Sequence, residues 1–212
     1  MNKSDQITMR DHNQRLVLQA LFNAKETSRA QLAVDLNLHK STISSIYRDL
    51  DDMGFIEDLG EGVTTETGGR KAKMIRFNRN YGYVMSFDMG RHHLRVALVR
   101  LSGEVILQSS EDVDGMTVEE VVARMSNHAK VNKNKKHGTK KGLMGIAVGI
   151  HGVVDDNFVV YSPFFNYSQV NLVEILEKVS GVHVTLENEA NSAAVYIRDY
   201  HDYLSTDQYD SL

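Results

Sequence analysis

Two short helical stretches joined by a three-residue turn, with a pair of strands behind them, constrain the first part of this chain more than any other feature. Ser28-Arg29-Ala30-Gln31 has the form of a capping box, in which hydroxyl and amide side chains satisfy free backbone N–H groups at a helix start. The helix it opens runs to about Asp35. Asn37-Leu38-His39 then makes a tight turn, and asparagine tolerates the left-handed backbone that such a turn needs. From Lys40 to Met53 a further helix aligns Ile43, Ile46, Leu50 and Met53 on one stripe, and Gly54 stops it. Ahead of these, Leu16, Val17, Ala20, Leu21 and Ala24 repeat at helical spacing behind Asp11, which reads as their cap. Behind them, strand signals at 55–58 and 73–77 flank a polar, Gly-rich stretch at 60–70. Three helices and a two-stranded ribbon in this order predict a winged helix-turn-helix over residues 1–78, mainly α with a β-wing.

In that motif the second helix enters the major groove and its N-terminal residues reach base edges. The outward positions here are Lys40, Ser41, Thr42, Ser44, Ser45 and Arg48, all hydrogen-bonding or cationic. The wing adds Arg70, Lys71 and Lys73 beside Gly68-Gly69, where bare backbone can approach a phosphate. A solvated helix face has a similar composition, but it does not call for a tight turn and a basic ribbon in register with it. Asp49, Asp51 and Asp52 crowd the far end of the helix and are expected to repel DNA, so only its first two turns can dock. Charge agrees with a local patch. Residues 1–80 carry 12 Lys+Arg against 11 Asp+Glu, whereas 81–212 carry 12 against 17, within a formal net charge of −4.

From Tyr81 the periodicity changes. Strands are predicted at 84–87, 94–99 and 105–108, with Ser102-Gly103 as a hairpin turn, then a helix at 118–129. Residues 130–141 (KVNKNKKHGTKK) read as a mobile basic loop. Residues 143–150 form a near-continuous apolar strand of the kind buried on both faces. A strand at 158–161, a helix at 172–179, a strand at 182–187 and a helix at 190–200 complete an α/β alternation. No cysteine is present, so a disulfide, a thiolate metal site and a thiol nucleophile are all excluded. The polar start is unlike a secretory signal, and no apolar run nears the roughly 20 residues of a membrane span. The cytoplasm is the expected location.

Several segments of this second part, with Thr67-Gly68-Gly69-Arg70-Lys71-Ala72 of the wing, resemble a known family. They are Asp88-Met89-Gly90, Gly149-Ile150-His151-Gly152-Val153-Val154-Asp155, Ser162-Pro163-Phe164-Phe165, and Leu186 through Ala194 (LENEANSAA). Together they are similar to the ROK family (repressors, open reading frames, kinases), in its xylose-repressor-like branch. The resemblance implies an actin-like/sugar-kinase lobe over residues 79–212, with a second lobe, and a homodimer formed through it, beyond this chain. It also implies an effector pocket for a sugar-like small molecule around Asp88, Gly90, His151, Gly152, Phe164, Asn188 and Glu189.

Departures from the family pattern point away from catalysis. Arg91 and His92 stand where the kinases have Gly-Thr to cradle nucleotide phosphates, and bulky side chains block such close backbone approach. Phe164 replaces a sugar-binding Asn, Glu189 replaces the Asp that acts as general base, and His151 replaces a Pro; Asn188 is retained. Neither a cofactor nor a metal is expected, and His92, His93 and His151 read as surface or packing histidines. Asn188, Glu189 and Asn191 are also the residue types that cap a helix. The expected function is a ROK-type regulator binding double-stranded DNA, with a non-catalytic sensor lobe. The alternative is an antirepressor, of use in antibiotic resistance, that grips another repressor protein and binds DNA weakly. A sugar kinase comes third.

Overall fold

A computed structural model describes residues 3–62 and 71–194 of the chain. It divides into two compact units, Met1–Arg79 and Asn80–Leu212.

The first unit contains α1 (Lys3–Asn23), β1 (Thr27–Ser28), α2 (Arg29–Asp35), α3 (Lys40–Met53), β2 (Ile56–Glu61) and β3 (Lys73–Phe77). β3 lies between β1 and β2, antiparallel to both. α3 starts and ends as its pattern predicts. Ile43, Ile46 and Leu50 are buried against Val17, Leu21 and Leu32. Gly54 takes the left-handed conformation (φ 85°), so that its N–H and that of Phe55 reach the carbonyls of Asp51 and Leu50. Asn37 adopts φ 51° in the turn, which Asn tolerates. Phe77 closes the core, 5.1 Å from Phe22 edge-on and 6.1 Å from Phe55 in a stack.

Four expectations for this unit need correction. α1 begins at Lys3 rather than behind Asp11, because the mostly polar sequence ahead of Asp11 carries no helical apolar repeat that would signal the start. Met53 is exposed, since the chain turns at Gly54 before that last helical residue reaches the core. The capping box of α2 is half formed. Ser28 accepts from Gln31 N at 3.1 Å, but the Gln31 amide donates to Asp35 at 2.6 Å instead of returning to the cap. β2 extends to Glu61 through an irregularity at Asp58–Gly60.

In the second unit β4 (Tyr83–Met89), β5 (His93–Arg100) and β6 (Val105–Asp112) form an antiparallel meander. After α4 (Val118–Asn132), β7 (Leu143–Ile150) returns parallel to β4. A hairpin of β8 (Val153–Asp155) and β9 (Phe158–Tyr161) follows, then α5 (Leu172–Ser180) and β10 (Val184–Asn188), which adds parallel to β7. The sheet order is β10-β7-β4-β5-β6, and residues 189–194 are helical. The remainder of the predicted last helix, 195–200, lies outside the described residues.

The core fills one face of the sheet. Tyr83, Met85, Phe87, Met89, Ile146 and Val148 pack with Val121, Met125 and Leu176 of α4 and α5. β7 is therefore not buried on both faces: Met144 and Ala147 are exposed and Gly145 and Gly149 half-buried. Its apolar run is continuous only because glycine and alanine fill the alternate positions, and these residues bury little area. Residues 130–141 are not a loose loop either. α4 continues to Asn132, and the rest is a hydrogen-bonded turn built on buried Asn132 and Thr139. α4 also has the full capping box, Thr117 with Glu120, that α2 lacks. Among the described residues no helix is long and apolar enough to cross a membrane.

Candidate functional site

Two clusters of polar side chains emerge, one in each unit. In the first, α3 presents Lys40, Ser41, Ser45 and Arg48 on an exposed stripe opposite its buried one, with Thr42 and Ser44 half-buried at its sides. The Ser44 hydroxyl donates back to the Lys40 carbonyl at 2.8 Å, so its proton is already committed to the helix. Beside the stripe runs a groove of about 710 Å³ between the N-termini of α2 and α3 and the stem of the β2–β3 ribbon. Ser28, Arg29, Lys40, Ser44, Lys71 and Lys73 are among its lining residues.

Three features of this groove bear on an anionic partner. Lys73 is ion-paired with Asp58, while Lys71 is loosely placed, 4.0 Å from Glu61. The hydrogen bond from Lys73, then one from Gly60 N–H, holds the Asp58 carboxyl below its ordinary range, and Asp58 raises the Lys73 ammonium. Arg29 sits over the Tyr47 ring, 4.9 Å from its centroid. Arg29 was missed in the sequence because, as the first residue of α2, it read as part of a cap. At the far end of α3, Asp49 is bound by Arg10 of α1 at 2.7 Å, which offsets one of the three carboxylates expected to repel DNA. Arg70, the remaining predicted contact, lies outside the described residues, as do Thr67, Gly68 and Gly69.

In the second unit, all seven predicted pocket residues meet at the C-terminal ends of β4, β7 and β10. His151 lies at their centre. Its Nε2 is 3.5 Å from Asp88 Oδ1, its Nδ1 is 3.3 Å from Glu189 Oε1, and its ring is 5.7 Å from that of Phe164. It is a half-buried histidine set between two carboxylates, within 3.5 Å of each. Asp88 also accepts from Arg95 at 2.8 Å, and its Oδ1 is buried without a hydrogen bond. Gly90 closes the β4–β5 turn through its N–H to the His93 carbonyl at 3.0 Å, and a Cβ placed on it would stand 3.9 Å from His151 Nε2. A Cβ on Gly152 would stand 2.0 Å from the Tyr161 carbonyl oxygen, so only glycine lets β8 leave β7 at this corner.

Asn188 does cap the following helical residues. Its Oδ1 accepts from the N–H groups of Ala190 and Asn191 at 2.9 and 3.1 Å. Its amide donates to the Gly152 carbonyl at 2.7 Å and to Glu189 at 3.3 Å. Nearby, Asn157 in the β8–β9 turn bonds Val184 O and Leu186 N of β10, which fixes the hairpin beside the cleft. Beneath it the Tyr167 hydroxyl donates to the Met89 sulfur at 2.8 Å, and burial pushes that phenol far above its ordinary value. Arg91 and His92 occupy the exposed β4–β5 turn, with His92 paired to Asp114 at 2.9 Å. Among the described residues no cluster of His, Asp and Glu could hold a metal ion. This cluster can offer two carboxylates, an imidazole and an aromatic ring to a polyol, and the buried Asp88 Oδ1 is left with a hydrogen-bonding position unused.

Comparison with known proteins places the chain in a family. The ROK family model matches residues 84–199. The xylose repressor of Lactiplantibacillus pentosus is 38% identical over 192 residues, which are 91% of this chain and 49% of the relative. That of Staphylococcus xylosus is 31% identical over 187 residues, 88% of this chain and 48% of the relative. Among solved structures, a ROK family transcriptional regulator described as a homologue of the Escherichia coli MLC protein superposes with a TM-score of 0.73. It shares 23% identity over 90% of this chain and 48% of its own. The chain thus spans about half the length of the curated relatives it matches.

Proposed function

The chain belongs to the ROK family, and on that premise we propose that it is a DNA-binding transcriptional regulator with a non-catalytic sensor lobe. The observation that carries this reading is α3. Its cationic and hydroxyl stripe is exposed, its apolar stripe is buried, and a groove lined by Arg29, Lys40, Lys71 and Lys73 runs beside it. Residues 1–78 act as a winged helix-turn-helix: Ser41, Thr42 and Ser45 face base edges, while Lys40, Arg48, Arg70, Lys71 and Lys73 contact phosphate or guanine. The relatives named xylose repressors support the same direction.

The cleft around His151 takes a small polyol of the sugar type and biases the geometry of a homodimer that reads two half-sites. Such coupling requires a ligand that binds the two arrangements unequally. Catalysis is not part of the reading. Arg91 and His92 crowd the turn a nucleotide phosphate would need, and the Glu189 carboxylate is held by His151 and Asn188.

The test is titration of the protein against duplex from its own upstream region and against random duplex, at two salt concentrations. A Lys40→Ala/Arg48→Ala variant should lose affinity, and Thr42→Ala should change preference at one base pair by about 1–3 kcal/mol. Equal affinity for both duplexes would refute the operator-reading role and favour the antirepressor. Sugar-dependent release of ADP from ATP would refute the non-catalytic one.

A further inference from the structure

Half of the Lys and Arg residues in 81–212 fall in the twelve residues 130–141, which contain no Asp or Glu. The six are Lys130, Lys133, Lys135, Lys136, Lys140 and Lys141, and all are exposed. A run of like charges ordinarily relieves its repulsion by staying loose in solvent. This one is pinned. Lys135 N donates to Asn132 O at 2.9 Å, and the Tyr83 hydroxyl reaches the carbonyls of Asn132 and Lys135 at 2.9 and 3.0 Å. Buried Thr139 donates to Lys136 O at 2.6 Å and accepts from Gly142 N at 3.1 Å. The N–H groups of Lys140 and Lys141 donate to the carbonyls of Asn80 and Tyr81, each at 2.8 Å. Among the described residues none of the six is in an ion pair; Lys133 Nζ donates to the Val179 carbonyl instead. The backbone of the turn is therefore fixed, while its charges have no ion-pair partner among the described residues.

We propose that this lysine-bearing turn is a second DNA contact, a surface that grips duplex phosphates independently of the site read by α3. It rests on the DNA-binding reading above and extends it to the second unit. Two observations favour duplex over an acidic protein. Protein interface cores are rich in aromatic residues and arginine and poor in lysine, and this stretch has six lysines and neither arginine nor a Phe, Tyr or Trp. Lysine is a point charge suited to phosphate without base discrimination. A contact of this kind adds affinity and salt dependence and no sequence preference.

The test is the salt dependence of binding by the full chain and by its Lys135→Gln/Lys136→Gln/Lys140→Gln/Lys141→Gln variant, on duplexes long enough to extend past the site. The log–log slope should become shallower by about 0.9 for each phosphate that the variant no longer neutralises, equally on upstream and random duplex. An unchanged slope overturns the proposal. Amine acylation of the unsubstituted protein gives a readout that needs no variant to fold: duplex should protect these four lysines and leave exposed Lys178 of α5 reactive. Protection by an acidic polypeptide and not by duplex overturns it in favour of a protein partner. If the unsubstituted protein binds no DNA, the function itself fails. If Lys40→Ala/Arg48→Ala abolishes binding while the four glutamines change nothing, only the second contact fails.

Discussion

Replacing Asp58 with Asn should strengthen DNA binding. Asp58 sits at the β2 irregularity, where its carboxylate is ion-paired with Lys73 and accepts from Gly60 N–H at 2.9 Å. An amide oxygen at the same place still accepts from Gly60, so the turn is kept, while the charge that occupies Lys73 is gone. If Lys73 then engages one further phosphate, the log–log salt slope steepens by about 0.9. That corresponds to about eightfold higher affinity at 0.1 M salt and about twofold at 0.5 M, relative to a 1 M reference. Glu61→Gln is the internal control. Lys71 lies 4.0 Å from Glu61 and is already close to free, so its release should add much less. Both pairs are solvent-exposed, and exposed pairs contribute little to stability, so Tm should stay unchanged in both variants. The assay is fluorescence anisotropy of a labelled duplex across a salt series. An unchanged slope in Asp58→Asn, or a gain equal in both variants, would refute a specific role for Lys73 and leave only the general loss of negative charge.

Ile46→Ala should cost about 2–5 kcal/mol and Met53→Ala less than about 1 kcal/mol, because only the former side chain is buried; urea unfolding at one pH compares them. Equal losses would place Met53 in the core after all. Gly152→Ala should destabilise by about 2–4 kcal/mol, since the added Cβ would meet backbone at Tyr161 and Ser162 rather than a movable side chain, and a lowered Tm reads it. A Tm equal to that of the parent would show that the corner can shift. Glu111 is held below its ordinary 4.5 chiefly by the hydrogen bond to His128. A lowered carboxyl gives stability that is present above the unfolded value and is lost as pH falls through the folded one. The Tm advantage of the parent over Glu111→Gln should therefore be full at pH 7 and shrink below about pH 4.5. An advantage that stays constant to pH 3 would contradict it.

Periodicity made α3, β4, β5 and β7 legible, because each buries one face. It failed where a residue's partner, rather than its own polarity, decides the outcome. Ser28-x-x-Gln31 and Thr117-x-x-Glu120 have the same form, yet only the second closes its box; Gln31 has Asp35 one turn ahead and takes it. Residues 130–141 look like a solvated charge run because nothing local shows that Tyr83, 52 residues before Lys135, will bind their carbonyls. The Gly145, Ala147 and Gly149 positions count as apolar in a sequence, although small residues say little about burial. Of the cleft, the family-like motifs identified the members. They did not reveal the bridging role of His151, which depends on β4, β7 and β10 ending at one level. In the groove beside α3, the pairing of Lys73 with Asp58 became evident only with the β2–β3 register, and the place of Arg29 only with its contact to Tyr47.

The wiring of Asn188 gives occupancy of the cleft the character of an exchange reaction. All four of the hydrogen-bonding positions of its amide are taken, two by the backbone it caps, one by Gly152 and one by Glu189. A molecule that wants this amide must first displace one of these bonds, at the β7–β8 corner, to Glu189 or at the start of the next helix. On the sensor reading proposed above, arrival of a polyol at this amide and a change of backbone at the corner or the helix start become one event.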